Sequence, residues 1–145
     1  MKKMIVFFAI TIFSASLFAQ EATPAKKAED LIKFKELSHN FGKIKQSVPV
    51  TYDFLFTNAS DKPVVIETAQ ASCGCTTPVW PQAPVAKGKT DKITAGFNAS
   101  APGPFTKTIS VKLAGVDGYV TITITGEVLN AEEFVKYEKA KGSKG

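Results

Sequence analysis

The sequence contains no arginine, and all 18 of its basic side chains are lysines. Proteins that bind phosphate groups or nucleic acid usually cluster their cations and use the forked guanidinium group. Here the lysines are spread along the chain, in runs no longer than Lys26-Lys27. We therefore expect no nucleic-acid binding.

Residue types that carry catalysis are also scarce, with one histidine, two cysteines and two methionines in 145 residues. No Ser-His-Asp arrangement, pair of carboxylates or glycine-rich phosphate loop can be assembled from the rest of the sequence. The sequence therefore predicts a protein that is not an enzyme and that carries no cofactor.

A long hydrophobic run occurs only at the amino end. Lys2 and Lys3 precede an apolar stretch from Met4 to Phe18, and small residues follow, as in a secretory signal peptide. The stretch is shorter than the ~20 residues that a membrane-spanning helix needs. We expect residues 1–19 to be removed, which leaves no membrane span and a periplasmic or secreted protein.

The remaining residues have the composition of one globular domain, because 44% hydrophobic and 21% charged residues are close to the globular average. We expect a flexible leader over residues 20–30, a domain over 31–129 and a polar, lysine-rich tail over 130–145. For the tail we favour a solvated, unstructured end over a short helix in which Glu132 and Lys136 would pair.

Apolar and polar residues alternate in three segments of this domain, so that one face of each is apolar and the other carries mostly threonine and charged residues. The apolar faces consist of Val48, Val50, Tyr52, Phe54 and Phe56; of Phe105, Ile109, Val111 and Leu113; and of Val120, Ile122, Ile124 and Val128. Leu55 is an apolar residue out of step. A period of two predicts strands with one buried face.

Weaker strand patterns cover residues 31–36, 64–70 and 90–97, and a short strand is expected after Cys75. Asp117-Gly118 joins two of the alternating segments and predicts a hairpin. Short strands, regular turns and the absence of a long helical stripe predict an all-β protein. We expect an immunoglobulin-like antiparallel β-sandwich of about seven strands.

Cys73-Gly74-Cys75 is the one motif that could carry a reaction. An exported protein meets oxidising conditions, in which a cysteine pair tends to be joined. On a straight strand these side chains stand about 6.5 Å apart, whereas the Cβ atoms of a disulfide need about 3.8 Å. The backbone must therefore bend at Gly74, and glycine permits this bend. A loop this small stabilises the fold by only about 1.6 kcal/mol before strain is subtracted.

Three interpretations of Cys73 and Cys75 remain open. We favour a structural pair without a reaction, ahead of a thiol-redox site and of soft-metal capture by two thiolates. Metal binding is the least favoured, because His39 is the only nitrogen ligand that the chain can add and both methionines lie in the signal segment. No metal site is therefore predicted.

Three other features are candidates for a functional role. We interpret His39 as a turn or strand-edge residue rather than as a ligand or a base. Trp80, between two prolines, is a candidate partner contact, although packing over the end of the sandwich is favoured. Asn58-Ala-Ser60 and Asn98-Ala-Ser100 match the N-glycosylation pattern, but we interpret them as turns.

Over residues 34–128 the chain resembles the Domain of Unknown Function 1573 family of small exported bacterial β-sandwich proteins. The motifs that carry the resemblance are His39-Asn-Phe-Gly-Lys-Ile44, Val50-Thr-Tyr-Asp-Phe-Leu-Phe-Thr-Asn58, Ser72-Cys-Gly-Cys-Thr76, Trp80-Pro81, Gly103-Pro-Phe-Thr-Lys-Thr-Ile109 and Gly126-Glu-Val128. Lys87-Gly88 replaces the Pro-Gly that is common in the family, and Ala114-Gly115 replaces Ser-Asn. The resemblance implies a binding or scaffolding module and supplies no catalytic residues.

The sequence thus predicts an exported, non-enzymatic module that binds another protein or a component of the cell envelope. Contact would be made by an exposed edge strand, or by the loops around Cys73 to Pro81. The alternative function is thiol-redox or soft-metal chemistry at Cys73 and Cys75, with Gly74 as the supporting turn.

Overall fold

A computed structural model describes residues 26–143, which contain eight strands and two helices. The helices are α1 (Ala28–Leu31) and α2 (Ala131–Gly142). The strands are β1 (Ile32–Phe34), β2 (Ser38–Lys45), β3 (Val50–Asn58), β4 (Ile66–Ala71), β5 (Thr76–Val79), β6 (Thr90–Phe97), β7 (Gly103–Leu113) and β8 (Val120–Leu129). The signal peptide predicted for residues 1–19 lies outside the described residues.

The strands form two four-stranded sheets that pack face to face. One sheet has the order β1-β3-β6-β5, and the other has the order β2-β8-β7-β4. Apolar side chains from both inner faces fill the space between the sheets, and Phe54, Ile93, Ile109 and Ile122 are completely buried there. The predicted all-β sandwich is confirmed.

Alternation identified the buried faces of β3, β7 and β8. All of the apolar residues singled out in β7 and β8 are buried, and Leu55, the residue out of step, is 40% exposed on the outer face of β3. The prediction that Val48 belongs to the buried face is wrong, because Val48 precedes β3 and is 47% exposed. A tight turn, in which Ser47 has a φ of 60°, carries Val48 away from the core.

Strand β2 is the eighth strand, and the sequence did not predict it. It pairs with β8 in parallel, so the sandwich is not antiparallel throughout. A register shift between Asn40 and Lys43 interrupts the strand, and the Asn40 side chain accepts a hydrogen bond from the Gly42 amide there. This bulge destroys the period of two that would have revealed the strand.

The predicted turn at Asp117-Gly118 joins β7 to β8, which pair as an antiparallel hairpin. Gly118 has a φ of 85°, a conformation that favours glycine.

The Asn58 and Asn98 side-chain oxygens accept hydrogen bonds from the amides of Ser60 and Ser100, so both segments form the turns that the sequence indicated.

The two ends of the domain differ from the expectation. Ala28 lies within the expected flexible leader, yet it is 1% exposed and belongs to the core, so the folded unit begins before residue 31. The tail forms α2, with Asn130 as its N-cap and with the Glu132–Lys136 ion pair at 2.8 Å. None of the residues of α2 is buried. The prediction of an unstructured tail is therefore wrong, although the prediction that the tail is exposed to solvent is correct.

Neither of these helices is long and apolar enough to cross a membrane.

Candidate functional site: a groove between two edge strands and its disulfide

The site lies where the chain passes from one sheet to the other. Strand β4 is an edge of one sheet and β5 is an edge of the other, and the segment that joins them contains Cys73, Gly74 and Cys75. The two sulfur atoms are 1.97 Å apart and form a disulfide. The sequence motif therefore occupies the crossover at one side of the sandwich.

An open groove of about 600 Å³ runs between the two edge strands. It is lined by Thr68, Ala69, Gln70, Ala71, Cys73, Gly74, Thr76, Thr77, Pro78 and Trp80. None of these lining residues is charged, although charged residues make up 21% of the chain. A ligand that fills this groove is therefore recognised by shape, apolar contact and hydrogen bonds rather than by ion pairs.

The β4 side of the groove presents unpaired backbone groups. Ser72 donates its amide to the Thr108 carbonyl of β7, and the β4–β7 register pairs Ala71 with Ile109. Because backbone groups alternate in direction along an antiparallel strand, the N–H and C=O groups of Ala69 and Ala71 point away from β7. Within residues 26–143, no backbone hydrogen bond joins β4 to β5. These groups are free to pair with another strand.

The β5 side of the groove offers no free amide. The Asn98 amide donates to the Cys75 carbonyl, so Thr76 and Pro78 are the residues whose backbone groups face outward. Proline has no N–H, and the Thr76 amide already donates to the Cys73 carbonyl at 3.3 Å. Strand β5 therefore forms a wall, whereas β4 supplies the pairing edge. Proline within a strand is typical of such an edge.

Trp80 is partly buried and packs against the hydrophobic core beside the groove. Its indole nitrogen Nε1 is buried, and no hydrogen-bond acceptor lies within reach in the described part of the chain. An unpaired buried donor costs about 1–3 kcal/mol. Because Nε1 is covered in the free protein, a ligand oxygen satisfies this donor only when the Trp80 side chain turns toward the groove.

The hydroxyl of Thr76 contacts both sulfur atoms of the disulfide. Its Oγ1 lies 3.6 Å from Cys73 Sγ and 4.0 Å from Cys75 Sγ, and the residue is only 3% exposed. Cys75 packs against the core, whereas Cys73 lines the groove. Sequence reasoning missed Thr76, and its position directly after the second cysteine was the available signal.

Gly74 stands at the bend that the sequence required. Its φ lies outside the left-handed region, and a Cβ atom added there would meet nothing within 4 Å. The bend is therefore present, but neither backbone conformation nor space reserves the position for glycine.

His39 does not belong to this site. It lies on β2, at the opposite edge of the sheet that contains β4, and its ring stacks on Tyr52 with the centroids 3.5 Å apart. Two strands separate these edges, so His39 and the cysteines do not converge on one ligand. Among the described residues, no cluster of three or more metal-ligating side chains is present.

A second cavity of about 600 Å³ lies beside β1 and the start of β8, and Leu37 and Tyr119 are among its lining residues. Glu29, Asp30 and Lys33 also line it. This cavity contains no cysteine and no unpaired buried side-chain donor. We therefore regard the β4–β5 groove as the candidate site.

The fold is similar to that of several solved structures. The ASH / PapD-like domain 7 of human CEP192 matches with a TM-score of 0.61 and 8% sequence identity, over 90% of this chain and 99% of that domain. A protein of unknown function from Porphyromonas gingivalis W83 matches with a TM-score of 0.57 and 12% identity, over 73% of this chain and 51% of the other. The VesB protease of Vibrio cholerae matches with a TM-score of 0.55 and 14% identity, over 70% of this chain and 33% of the protease. At such low identity these matches establish the fold alone.

A family model described as "Protein of unknown function (DUF1573)" matches residues 32–128, which is more than half of the chain. No curated protein matches the sequence.

Proposed function

This chain belongs to the DUF1573 family, and we propose that it is a non-enzymatic protein-binding module that holds an extended segment of a partner protein in the β4–β5 groove. The observation that carries this proposal is the unpaired edge of β4 at Ala69 and Ala71. A strand added there makes main-chain hydrogen bonds to β4, and its side chains contact the β5 wall.

The chemistry of the groove defines the partner segment. It has an extended backbone, because only an extended strand matches the spacing of the free groups on β4. Its side chains are small or apolar and uncharged, because the groove has no charged lining residue to pair with them. A backbone carbonyl beside Trp80 completes the match when the indole turns toward the bound segment, since Nε1 is buried without a partner in the free protein.

The other candidate function is thiol or soft-metal chemistry at Cys73 and Cys75. One observation favours thiol chemistry, namely that the Thr76 hydroxyl lies close to both sulfur atoms. The same hydroxyl gives no support to a metal site.

We also propose that the protein is exported, with a signal peptide over residues 1–19 and a periplasmic or extracellular folded unit. The sequence of Met4 to Phe18 supports this proposal. Intact mass measurement of the protein from fractionated cells tests it, and a full-length amino terminus in the exported fraction contradicts it.

Photo-crosslinking in living cells identifies the partner. A photoreactive residue replaces Gln70, which is exposed beside the groove, and the matched control places it at Thr106, which is exposed on β7. We expect one specific crosslinked product from position 70 and none from position 106. The crosslinked segment is then synthesised as a peptide for binding measurements.

Ala71→Pro is the decisive variant for strand addition. It removes an N–H that faces the groove and leaves the ladder to β7 intact, whereas Ala71→Ser keeps this N–H. We expect Ala71→Pro to weaken peptide binding at least tenfold and Ala71→Ser to bind as the wild type does. Amide hydrogen exchange at Ala69 and Ala71 should slow when the peptide is bound. Full affinity of Ala71→Pro, or unprotected amides in the complex, contradicts strand addition.

Trp80→Phe tests the acceptor. This variant removes the indole N–H, so we expect it to weaken peptide binding several-fold. The free protein should change little in its unfolding free energy, because removal of an unpaired buried donor offsets the lost packing. Equal affinity in Trp80→Phe would show that the ligand brings no acceptor to this position.

A further inference from the structure

We propose that the Cys73–Cys75 disulfide is a reversible exchange site for an incoming thiol, with Cys73 as the attacked sulfur and Cys75 as the leaving group. The Thr76 hydroxyl stabilises the thiolate that leaves. This inference does not depend on strand addition to β4, since it concerns only the disulfide and its immediate contacts.

The positions of the two cysteines relative to the groove set the direction of attack. Both are partly exposed, but Cys73 lines the open groove, so a thiolate in the groove meets Cys73 first. Cys75 does not line the groove and packs against the hydrophobic core. Attack at Cys73 Sγ therefore leaves the Cys75 sulfur on the sheltered side of the broken bond, next to Thr76.

Thr76 is placed to stabilise the departing thiolate. In the intact disulfide its Oγ1 is 3.6 Å from Cys73 Sγ and 4.0 Å from Cys75 Sγ, and the residue is buried. After attack the Cys73 sulfur is part of a neutral mixed disulfide, so the anionic Cys75 sulfur is the better acceptor for this hydroxyl. A hydroxyl donates one hydrogen bond, and a bond to a charged acceptor is roughly twice as strong as one between neutral groups. Within residues 26–143, the Thr76 hydroxyl is the one polar side-chain group found within hydrogen-bonding distance of the two sulfurs.

The step balances without an external oxidant or reductant. The thiolate of the incoming compound forms a bond to Cys73 Sγ while the Cys73–Cys75 bond breaks, and the bonding electron pair leaves on Cys75. The proton released when the incoming thiol ionised is available to the Cys75 thiolate. The products are a mixed disulfide at Cys73 and a free thiol at Cys75.

The short spacing of the pair makes the capture reversible. Cys75 is only two positions from Cys73, so its thiolate remains close to the mixed disulfide and can attack it to release the bound thiol. The pair is also protected from rearrangement with other cysteines, because the chain contains only two. The site therefore takes thiols as a chemical class, including a cysteine carried by a protein segment in the groove.

Reduced glutathione serves as the probe, in a comparison of wild-type protein with Thr76→Val and Thr76→Ser. Exchange is stopped with acid at timed intervals, free thiols are alkylated, and mass spectrometry counts the mixed disulfide. We expect Thr76→Val to slow the exchange about tenfold, because one hydrogen bond to the thiolate is lost, and Thr76→Ser to restore the rate. Thr77→Val is the matched control, since it removes a neighbouring hydroxyl for which no contact with sulfur is found.

A wild-type disulfide that stays inert to glutathione in the folded protein overturns the proposal. Equal rates for wild type and Thr76→Val overturn the role of the hydroxyl. Circular dichroism of each variant verifies that the sandwich is intact. Because the probe is a small thiol, these results are independent of whether a peptide binds along β4.

Single-cysteine variants test which sulfur is attacked. Cys75→Ser leaves Cys73 in the groove, and Cys73→Ser leaves Cys75 against the core. Oxidised glutathione should form a mixed disulfide several-fold faster with Cys75→Ser than with Cys73→Ser. The reverse order would assign the attack to Cys75 and overturn the proposed direction.

Discussion

The imidazole ring of His39 lies flat on the phenol ring of Tyr52, with the centroids 3.5 Å apart and the planes within 8° of each other. His39 belongs to β2 and Tyr52 to β3, so this contact joins the two sheets at one side of the sandwich. Tyr52 is held in turn by its hydroxyl, which donates a hydrogen bond to Glu36 and whose pKa that bond raises.

A double-mutant cycle measures this contact between sheets. We expect His39→Ala and Tyr52→Ala to be less than additive, with a coupling free energy of about 0.5–1.5 kcal/mol from the aromatic pair. Urea denaturation of the two single variants, the double variant and the wild type gives the four unfolding free energies. Strict additivity would show that the stacking does not stabilise the fold.

Neighbouring residues of β3 test the assignment of its buried face. Phe54 is completely buried, whereas the side chain of Leu55 points outward and is 40% exposed. We expect Phe54→Ala to lower the unfolding free energy by about 3–5 kcal/mol, through lost burial and a cavity. Leu55→Ala should change it by about 0.5 kcal/mol. Chemical denaturation compares them, and similar losses at both positions would contradict the register of β3.

Asn58 and Asn98 form the same kind of turn in very different surroundings. Asn58 is 1% exposed, and its amide donates to the carbonyls of Lys62 and Val85, whereas Asn98 is exposed. We expect Asn58→Ala to cost about 3 kcal/mol because it leaves buried carbonyls without a donor. The matched variant Asn98→Ala should cost less than about 1 kcal/mol. Thermal and urea unfolding check both values, and equal costs would refute a buried role for Asn58.

The conformations of Gly74 and Gly118 predict opposite responses to alanine. A methyl group at Gly74 has open space and an ordinary φ, so we expect Gly74→Ala to keep the disulfide and lose no stability. Gly118→Ala should cost roughly 1–2 kcal/mol, because its φ of 85° is unfavourable for alanine. Unfolding curves and a count of free thiols distinguish the two, and a strong loss for Gly74→Ala would contradict the described turn.

The Asp53 carboxylate makes the stability of the fold depend on pH. Lys92 Nζ lies 2.7 Å from it and the Thr94 hydroxyl also donates to it, and these hydrogen bonds hold the pKa of Asp53 below its usual value. Its contribution to stability is therefore present above pH 4 and is lost as the pH falls through the lowered pKa of the folded state. The pair is exposed, so the effect is less than about 1 kcal/mol.

Comparison of wild type with Asp53→Asn at several pH values measures this contribution. We expect a small stability difference at neutral pH that disappears in acid. Asp117→Asn is the matched control, because asparagine suits the turn before Gly118 as well as aspartate does. A difference between wild type and Asp53→Asn that grows in acid would contradict the assigned direction.

The sequence predicted the strands that have one buried face and one solvent-exposed face. In such strands apolar and polar residues alternate, as in the run from Val120 to Val128. Strand β2 could not be predicted from the sequence, because its bulge at Gly42 interrupts the alternation of apolar and polar residues and because Ile44 is its one buried residue. The sequence signal for helix α2 is its N-cap, Asn130, whose side chain accepts a hydrogen bond from the Glu133 amide.

The segment that contains the site could be predicted from the sequence, but the pairing of the strands around it could not. The cysteines and Trp80 are close in sequence, and their spacing alone identified the segment. The partner edge, Ala69 and Ala71, has no distinctive side chains, and its unpaired backbone follows only from which strand pairs with β7. Pro78 was the overlooked signal, because a proline inside a strand indicates an edge.

The parallel pairing of β2 with β8 also restricts how the protein can be made. Because a ribosome releases the amino end first, Ser38 emerges long before its register partner Thr123 exists. Strand β8 lies between β2 and β7, so that sheet stays in two unconnected pieces until β8 has emerged. A chain that has not yet released β8 therefore leaves β2 without a neighbour in its sheet, and this sheet is completed only when β8, its last strand in chain order, arrives.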